Sequence, residues 1–121
     1  MNEYIKSLKD AGKLNISIDK TKQFNWKYTK IAGPCSVEGP EIVDIAKEIK
    51  SLGANAFRAG AYKPCTYPIL KETNGWKEGL REEGLKLLHQ VKKETDLPIV
   101  TEVMDASMIN EVGSVADVFQ I

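Results

Sequence analysis

Ile31-Ala-Gly-Pro-Cys-Ser-Val-Glu38 and, one helix later, Arg58-Ala-Gly-Ala-Tyr-Lys-Pro-Cys-Thr66 decide how this chain is read. Each is the end of a short apolar run that breaks at a glycine and delivers reactive or charged side chains into a loop. In a parallel α/β protein, that edge of the sheet is where ligands bind. Between the two stretches, Gly39-Pro40-Glu41 opens a helix, with proline at the first helical position and an acid in the first turn, where the helix dipole favours it. Ile42, Ile45, Ala46, Ile49 and Leu52 are predicted to form its inward face, and Gly53 to cap it.

Working outward, the pattern predicts strands over Tyr28 to Gly33, Asn55 to Ala59, Leu97 to Val103 and Asp117 to Ile121. Helices are predicted over Arg81 to Glu94 and over Ala106 to Gly113, the latter with Asp105 as N-cap. Leu85, Leu88 and Val91 turn inward on the first of these, and Lys86, Lys92 and Lys93 stand in water. The order β-α-β-α-β-α-β argues a parallel sheet with right-handed crossovers. Ala61 to Leu80 is a long loop, and a loop of that length in a compact domain marks function or mobility. Residues 1–28 read as a lead-in, with a short helix near the start and a small strand around Ile16.

The 121 residues are 42% hydrophobic and 28% charged, with 17 basic against 17 acidic side chains. This balance describes an ordinary globular α/β domain, with no bulk charge pointing to nucleic acid. No apolar run is long enough to span a bilayer, and Met1-Asn-Glu-Tyr-Ile-Lys lacks the apolar core of a signal peptide, so a cytoplasmic protein with no membrane partner is expected. The two cysteines, Cys35 and Cys65, are expected as free thiols.

Four residues stand out chemically. Cys35 follows Gly-Pro at a strand end, where a thiolate binds a divalent transition metal or acts as a nucleophile, although a small buried hydrophobe is the plainer reading of an isolated cysteine. Arg58 interrupts the apolar run Ala54 to Ala61 and needs a buried partner or a ligand. With Lys63 five residues on, it makes a plausible clamp for phosphate or carboxylate. Glu102, at the end of the third predicted strand, is either the salt-bridge partner of one of these cations or a group that orients water or moves a proton. His89 lies mid-helix with no second histidine at ligand spacing and is assigned no role. Trp76 and Lys77 lie in the long loop.

Taken together, Ala32-Gly-Pro-Cys-Ser-Val-Glu38, Phe57-Arg-Ala-Gly-Ala-Tyr-Lys-Pro-Cys-Thr66, Glu83-Gly-Leu-Lys-Leu-Leu88, Val100-Thr-Glu102 and Ala116-Asp-Val-Phe-Gln-Ile121 resemble 3-deoxy-D-arabino-heptulosonate 7-phosphate (DAHP) synthase, the transferase that opens the shikimate pathway of aromatic amino acid biosynthesis. The resemblance spans about residues 29 to 121. It implies a (β/α)₈ TIM barrel, of which 29–121 would be the first half, four parallel strands with three helices, behind the 1–28 lead-in. It further implies condensation of phosphoenolpyruvate with erythrose 4-phosphate. In that reaction C3 of phosphoenolpyruvate attacks the aldehyde polarised by a divalent metal (Mn, Fe, Zn or Co), water adds at C2 and phosphate leaves.

Carried over by position, Cys35 matches a metal-ligand cysteine, Arg58 and Lys63 match phosphoenolpyruvate-binding cations, Thr66 matches a residue holding erythrose 4-phosphate, and Glu102, like Lys63, matches a group in the catalytic site. The family motif Lys-Pro-Arg-Thr has Cys65 here in place of the arginine that grips the second substrate's phosphate, and a neutral thiol makes no bidentate phosphate contact. The similar 3-deoxy-D-manno-octulosonate 8-phosphate synthase carries Lys-Ala-Asn-Arg at Lys63-Pro64-Cys65-Thr66, so the Lys-Pro-X-Thr form favours the heptulosonate enzyme. The family's remaining ligands, a His, a Glu and an Asp, would lie beyond Ile121. The resemblance therefore implies an enzyme inactive as this stretch alone and homo-oligomeric at full length. The rival readings are a non-catalytic half-barrel that binds or assembles, and an octulosonate synthase relative.

Overall fold

A computed structural model describes residues 2–12, 15–18, 22–25, 27–62 and 79–121. Helix α1 (Glu3–Asp10) starts where the Asn2 side chain accepts the Tyr4 N–H at 2.7 Å, and none of its residues is buried. Strands β1 (Asn15–Ser17) and β2 (Gln23–Asn25) pair antiparallel as a hairpin. The rest of the chain alternates: β3 (Ile31–Ala32), α2 (Ile42–Ser51), β4 (Ala56–Arg58), α3 (Glu82–Thr95), β5 (Ile99–Glu102), a 3₁₀ turn (Ala106–Met108) running into α4 (Ile109–Gly113), and β6 (Val118–Gln120). The last four strands form one parallel sheet in the order β3-β4-β5-β6. Sequential neighbours in parallel with a helix in each crossover make an arc of a (β/α)₈ barrel.

The register assigns the two faces. Ile31 lies beside Ala56, Arg58 beside Val100, Val100 beside Val118 and Glu102 beside Gln120, so these residues share one face. Ala32, Phe57, Ile99, Thr101 and Phe119 alternate onto the other. The helices cover that second face, where Phe57, Ile99, Leu88, Val91, Ile42, Ala46 and Val112 form one core. Gly84 brings α3 close to the sheet edge, since an added Cβ would lie 3.1 Å from the Ala61 Cβ. The first face carries the polar residues Arg58, Glu102 and Gln120 at its C-terminal end.

The elements fall where the sequence pattern puts them, with four differences. Helix α2 begins at Ile42, after Gly39-Pro40 in a preceding turn, and its buried face is Ile42, Val43 and Ala46. Ile45 and Leu52, expected inward, are exposed. At 3.6 residues per turn, Val43 lies on one flank of the Ile42–Ala46–Ile49 arc, and Ile45 and Leu52 on the other. Helix α3 packs on the Val43 flank, where Lys47 pairs with Glu94 at 3.3 Å and Lys50 donates to the Thr95 carbonyl. The second difference is Lys92, expected in water: its Nζ lies 2.8 Å from Asp117 Oδ1, while Asp117 Oδ2 accepts the Ile99 N–H at 2.8 Å. One ion pair thus ties α3 to the starts of β5 and β6.

Third, the first predicted strand is shorter than expected, because Tyr28 lies in a turn closed by Asn25. Fourth, β2 pairs with β1 in a hairpin that the lead-in reading did not contain. The Lys22–Asp96 ion pair, at 2.8 Å, sets this hairpin at the N-terminal end of the sheet, opposite the charged edge. Among the described residues no helix is long and apolar enough to cross a membrane.

Candidate anion-binding site

Three close approaches build the C-terminal edge of the sheet. Gly33 passes directly over β4, and a Cβ there would stand 1.8 Å from the Arg58 carbonyl oxygen, so only glycine lets the chain leave β3 along this path. Past it, Ser36 pairs with Gly60 as a parallel bridge, the Val37 N–H donating to Gly60 O at 2.9 Å and the Gly60 N–H to Cys35 O at 3.2 Å. Gly79, at φ +88°, lies against Ala61, whose carbonyl accepts the Arg81 N–H at 2.8 Å ahead of α3. The two strand ends singled out in the sequence are therefore zipped together.

On this frame Arg58 reaches across the open face. Its Nη2 donates to Glu102 Oε1 at 2.9 Å and its Nε to Gln120 Oε1 at 3.0 Å. The Glu102 side chain is 7% exposed and that of Arg58 24%, so the pair is screened on most sides while part of the guanidinium faces out. It borders a concavity of about 460 Å³ whose walls are Ile31, Gly33, Val100, Val118 and Gln120. A guanidinium held by one carboxylate and one amide has donors to spare, which suits a carboxylate or phosphate. The Arg58–Glu102 pair itself is neutral, so a dianion at this edge requires further cations.

The remaining sequence candidates divide plainly. Cys35 is a free thiol, exposed at the same edge and not the buried hydrophobe of the plainer reading. Among the described residues no group of three or more His, Cys, Asp or Glu side chains is placed to hold a metal ion, so the described donor set around Cys35 does not fit a complete site. Lys63, Cys65 and Thr66, with Trp76 and Lys77, lie outside the described residues. His89 is exposed on the outer surface between α3 and α4, away from the charged edge. Nearby, the Tyr62 hydroxyl donates to Glu111 Oε1 at 3.1 Å, and burial, followed by the neighbouring Glu111 carboxylate, pushes its pKa above the ordinary 10.0.

Gln120 was not singled out by sequence reasoning, although a signal existed: it is a polar residue two positions past Val118, with the parity that faces Arg58 and Glu102. Asp117 likewise reads as a strand-start residue until its two hydrogen bonds are seen.

Fold and edge together define an arc of a (β/α)₈ barrel that presents an arginine and a thiol at the ligand-binding end of its strands. Residues 14–121 match the model of the DAHP synthetase I family, and the chain belongs to that family. It is 36% identical over 107 residues to the phospho-2-dehydro-3-deoxyheptonate aldolase of Thermotoga maritima, a match covering 88% of this chain and 30% of the relative. It is 34% identical over 108 residues to the 2-dehydro-3-deoxyphosphooctonate aldolase of Acidovorax ebreus, covering 88% and 36%. A crystal structure of the Thermotoga maritima DAHP synthase superimposes with a TM-score of 0.71 at 34% identity, again over 88% of this chain and 30% of that one. The chain thus spans about a third of the length of these relatives.

Proposed function

We propose that this chain contributes the phosphoenolpyruvate-binding edge of a DAHP synthase, which condenses phosphoenolpyruvate with erythrose 4-phosphate. The observation that carries the reading is the Arg58 guanidinium, buttressed by Glu102 and Gln120 at the C-terminal end of the strands in a chain of this family. In this reading Arg58 binds and orients the enol-phosphate substrate, with Lys63 supplying a second positive charge. Glu102 holds the guanidinium in place, and its carboxylate is the candidate to act on a proton. Thr66 would hold the aldehyde substrate, and Cys65 stands where the resembling enzymes have a phosphate-gripping arginine. Cys35 is a single candidate ligand for a divalent metal, which would supply Lewis-acid polarisation of the aldehyde.

A second reading, a 2-dehydro-3-deoxyphosphooctonate aldolase, is favoured by the match to the Acidovorax ebreus protein of that name. The motif Lys63-Pro64-Cys65-Thr66 supports the first. The test is phosphate release from phosphoenolpyruvate by the whole protein with erythrose 4-phosphate or a five-carbon aldose phosphate as acceptor, the latter required by carbon count for an octulosonate product. Turnover preferring erythrose 4-phosphate is the expected result. Preference for the five-carbon acceptor would establish the second reading, and no turnover with either, in a folded and metal-supplemented protein, would favour a non-catalytic module.

A further inference from the structure

The face that carries Arg58 shows which part of the guanidinium is available, and this deepens the proposed function, on which its anion-binding half rests. An arginine has five N–H donors: one on Nε and two on each Nη. Here Nε is taken by Gln120 at 3.0 Å and one Nη2 hydrogen by Glu102 at 2.9 Å. Among the described residues no acceptor holds Nη1. The two acceptors come from different strands, β5 and β6, and their register pairs Glu102 with Gln120 side by side, so together they bracket the guanidinium in its plane. Gln120 differs from Glu102 in kind, because its neutral amide orients the guanidinium without cancelling its charge.

We propose that Gln120 is a positioning residue. By accepting from Nε it turns the guanidinium so that both Nη1 hydrogens and the remaining Nη2 hydrogen point out of the bracket, and the carboxylate or phosphate of the substrate is taken end-on through the two Nη atoms. Without Gln120 the guanidinium keeps its Glu102 contact but is free to swing about it. The anion then meets a donor set that must be ordered at each binding event.

The experiment uses the whole protein, with Gln120→Met, which keeps the side-chain volume and removes the acceptor, made in the parent and in an Arg58→Lys background. Lysine has no Nε–H fork, so a residue that acts through Nε has nothing to act on there. Phosphoenolpyruvate affinity by calorimetry is expected to fall about five- to tenfold in the parent on Gln120→Met and to stay unchanged in the Arg58→Lys background. Independently of any ligand, the Arg58 ¹⁵N–Hε resonance is expected to shift and exchange faster with solvent in Gln120→Met, and to recover in Gln120→Glu, which restores an acceptor.

Equal losses of affinity in both backgrounds, or an unmoved Hε resonance, would overturn the positioning role and leave the functional reading intact. A Gln120-dependent Hε resonance in a folded parent that binds neither phosphoenolpyruvate nor inorganic phosphate would instead overturn the anion site, while the contact itself stood.

Discussion

Truncating Arg58 tests the site at the scale of one residue, because its effects on stability and on binding have different origins. The Glu102 side chain is 7% exposed and accepts from the guanidinium at 2.9 Å. Arg58→Ala removes that charge-assisted hydrogen bond from a largely buried carboxylate, a loss of about 1.5–3 kcal/mol. Glu102→Gln in the same protein should recover much of this, since the amide needs no countercharge, while on the proposed reading phosphoenolpyruvate binding stays lost. Urea denaturation of the single and double variants measures the first effect and calorimetry the second; a double variant no more stable than Arg58→Ala would mean that the pair is not what the arginine supports. Legibility is uneven at this scale. Arg58 and Glu102 announce themselves as charges in apolar strands, whereas Gln120 does not, because glutamine is unremarkable at the end of an edge strand. Its contact with Arg58 follows from register.

At the scale of elements, the segment that follows β4 is joined to α4 by a titratable contact. The Tyr62 hydroxyl donates to Glu111 Oε1, and burial first, then this carboxylate, raises its pKa. A raised pKa means that the folded state favours the protonated phenol. The contact therefore contributes stability that is fully present below the unfolded pKa of about 10 and is lost as pH rises through the higher folded value. Spectrophotometric titration should show one phenolate step above pH 10 that disappears in Tyr62→Phe, and the stability difference between the two proteins should narrow only in that alkaline window. A step lost below pH 10 would contradict the raised pKa of this hydroxyl. The same scale explains the two amphipathic misreadings. Periodicity finds an apolar arc on α2 but cannot say on which flank α3 will pack, and it places Lys92 in water because the partner that draws it in, Asp117, is on another element.

For the whole molecule, stability resides between the sheet and α2, α3 and α4. Phe57 is fully buried at the centre of that layer, and Phe57→Ala should cost about 3–5 kcal/mol, the range for deleting a core aromatic. Leu52, 78% exposed, is the control: Leu52→Ala should stay within about 0.5 kcal/mol of the parent. Thermal denaturation compares them, and similar midpoints for both variants would place the core elsewhere. The opposite face of the sheet carries Ile31 and Val118 beside the Arg58 bracket, and in a (β/α)₈ barrel the strand face turned away from the helices lines the interior.

The alternation of short apolar strands with amphipathic helices, the glycines at strand ends and the charges that end β4 and β5 are local properties, so composition and spacing alone determined an α/β arc with charged residues at its C-terminal edge. Gly33 is read there as the last residue of a strand. Only the tertiary structure shows that it is required because the Arg58 carbonyl occupies the place of a side chain. Likewise, an arginine in a strand demands a partner, but which partner depends on parity across three strands. That long-range register set Glu102 on Nη2 and Gln120 on Nε, because neighbouring parallel strands place equivalent side chains on one face.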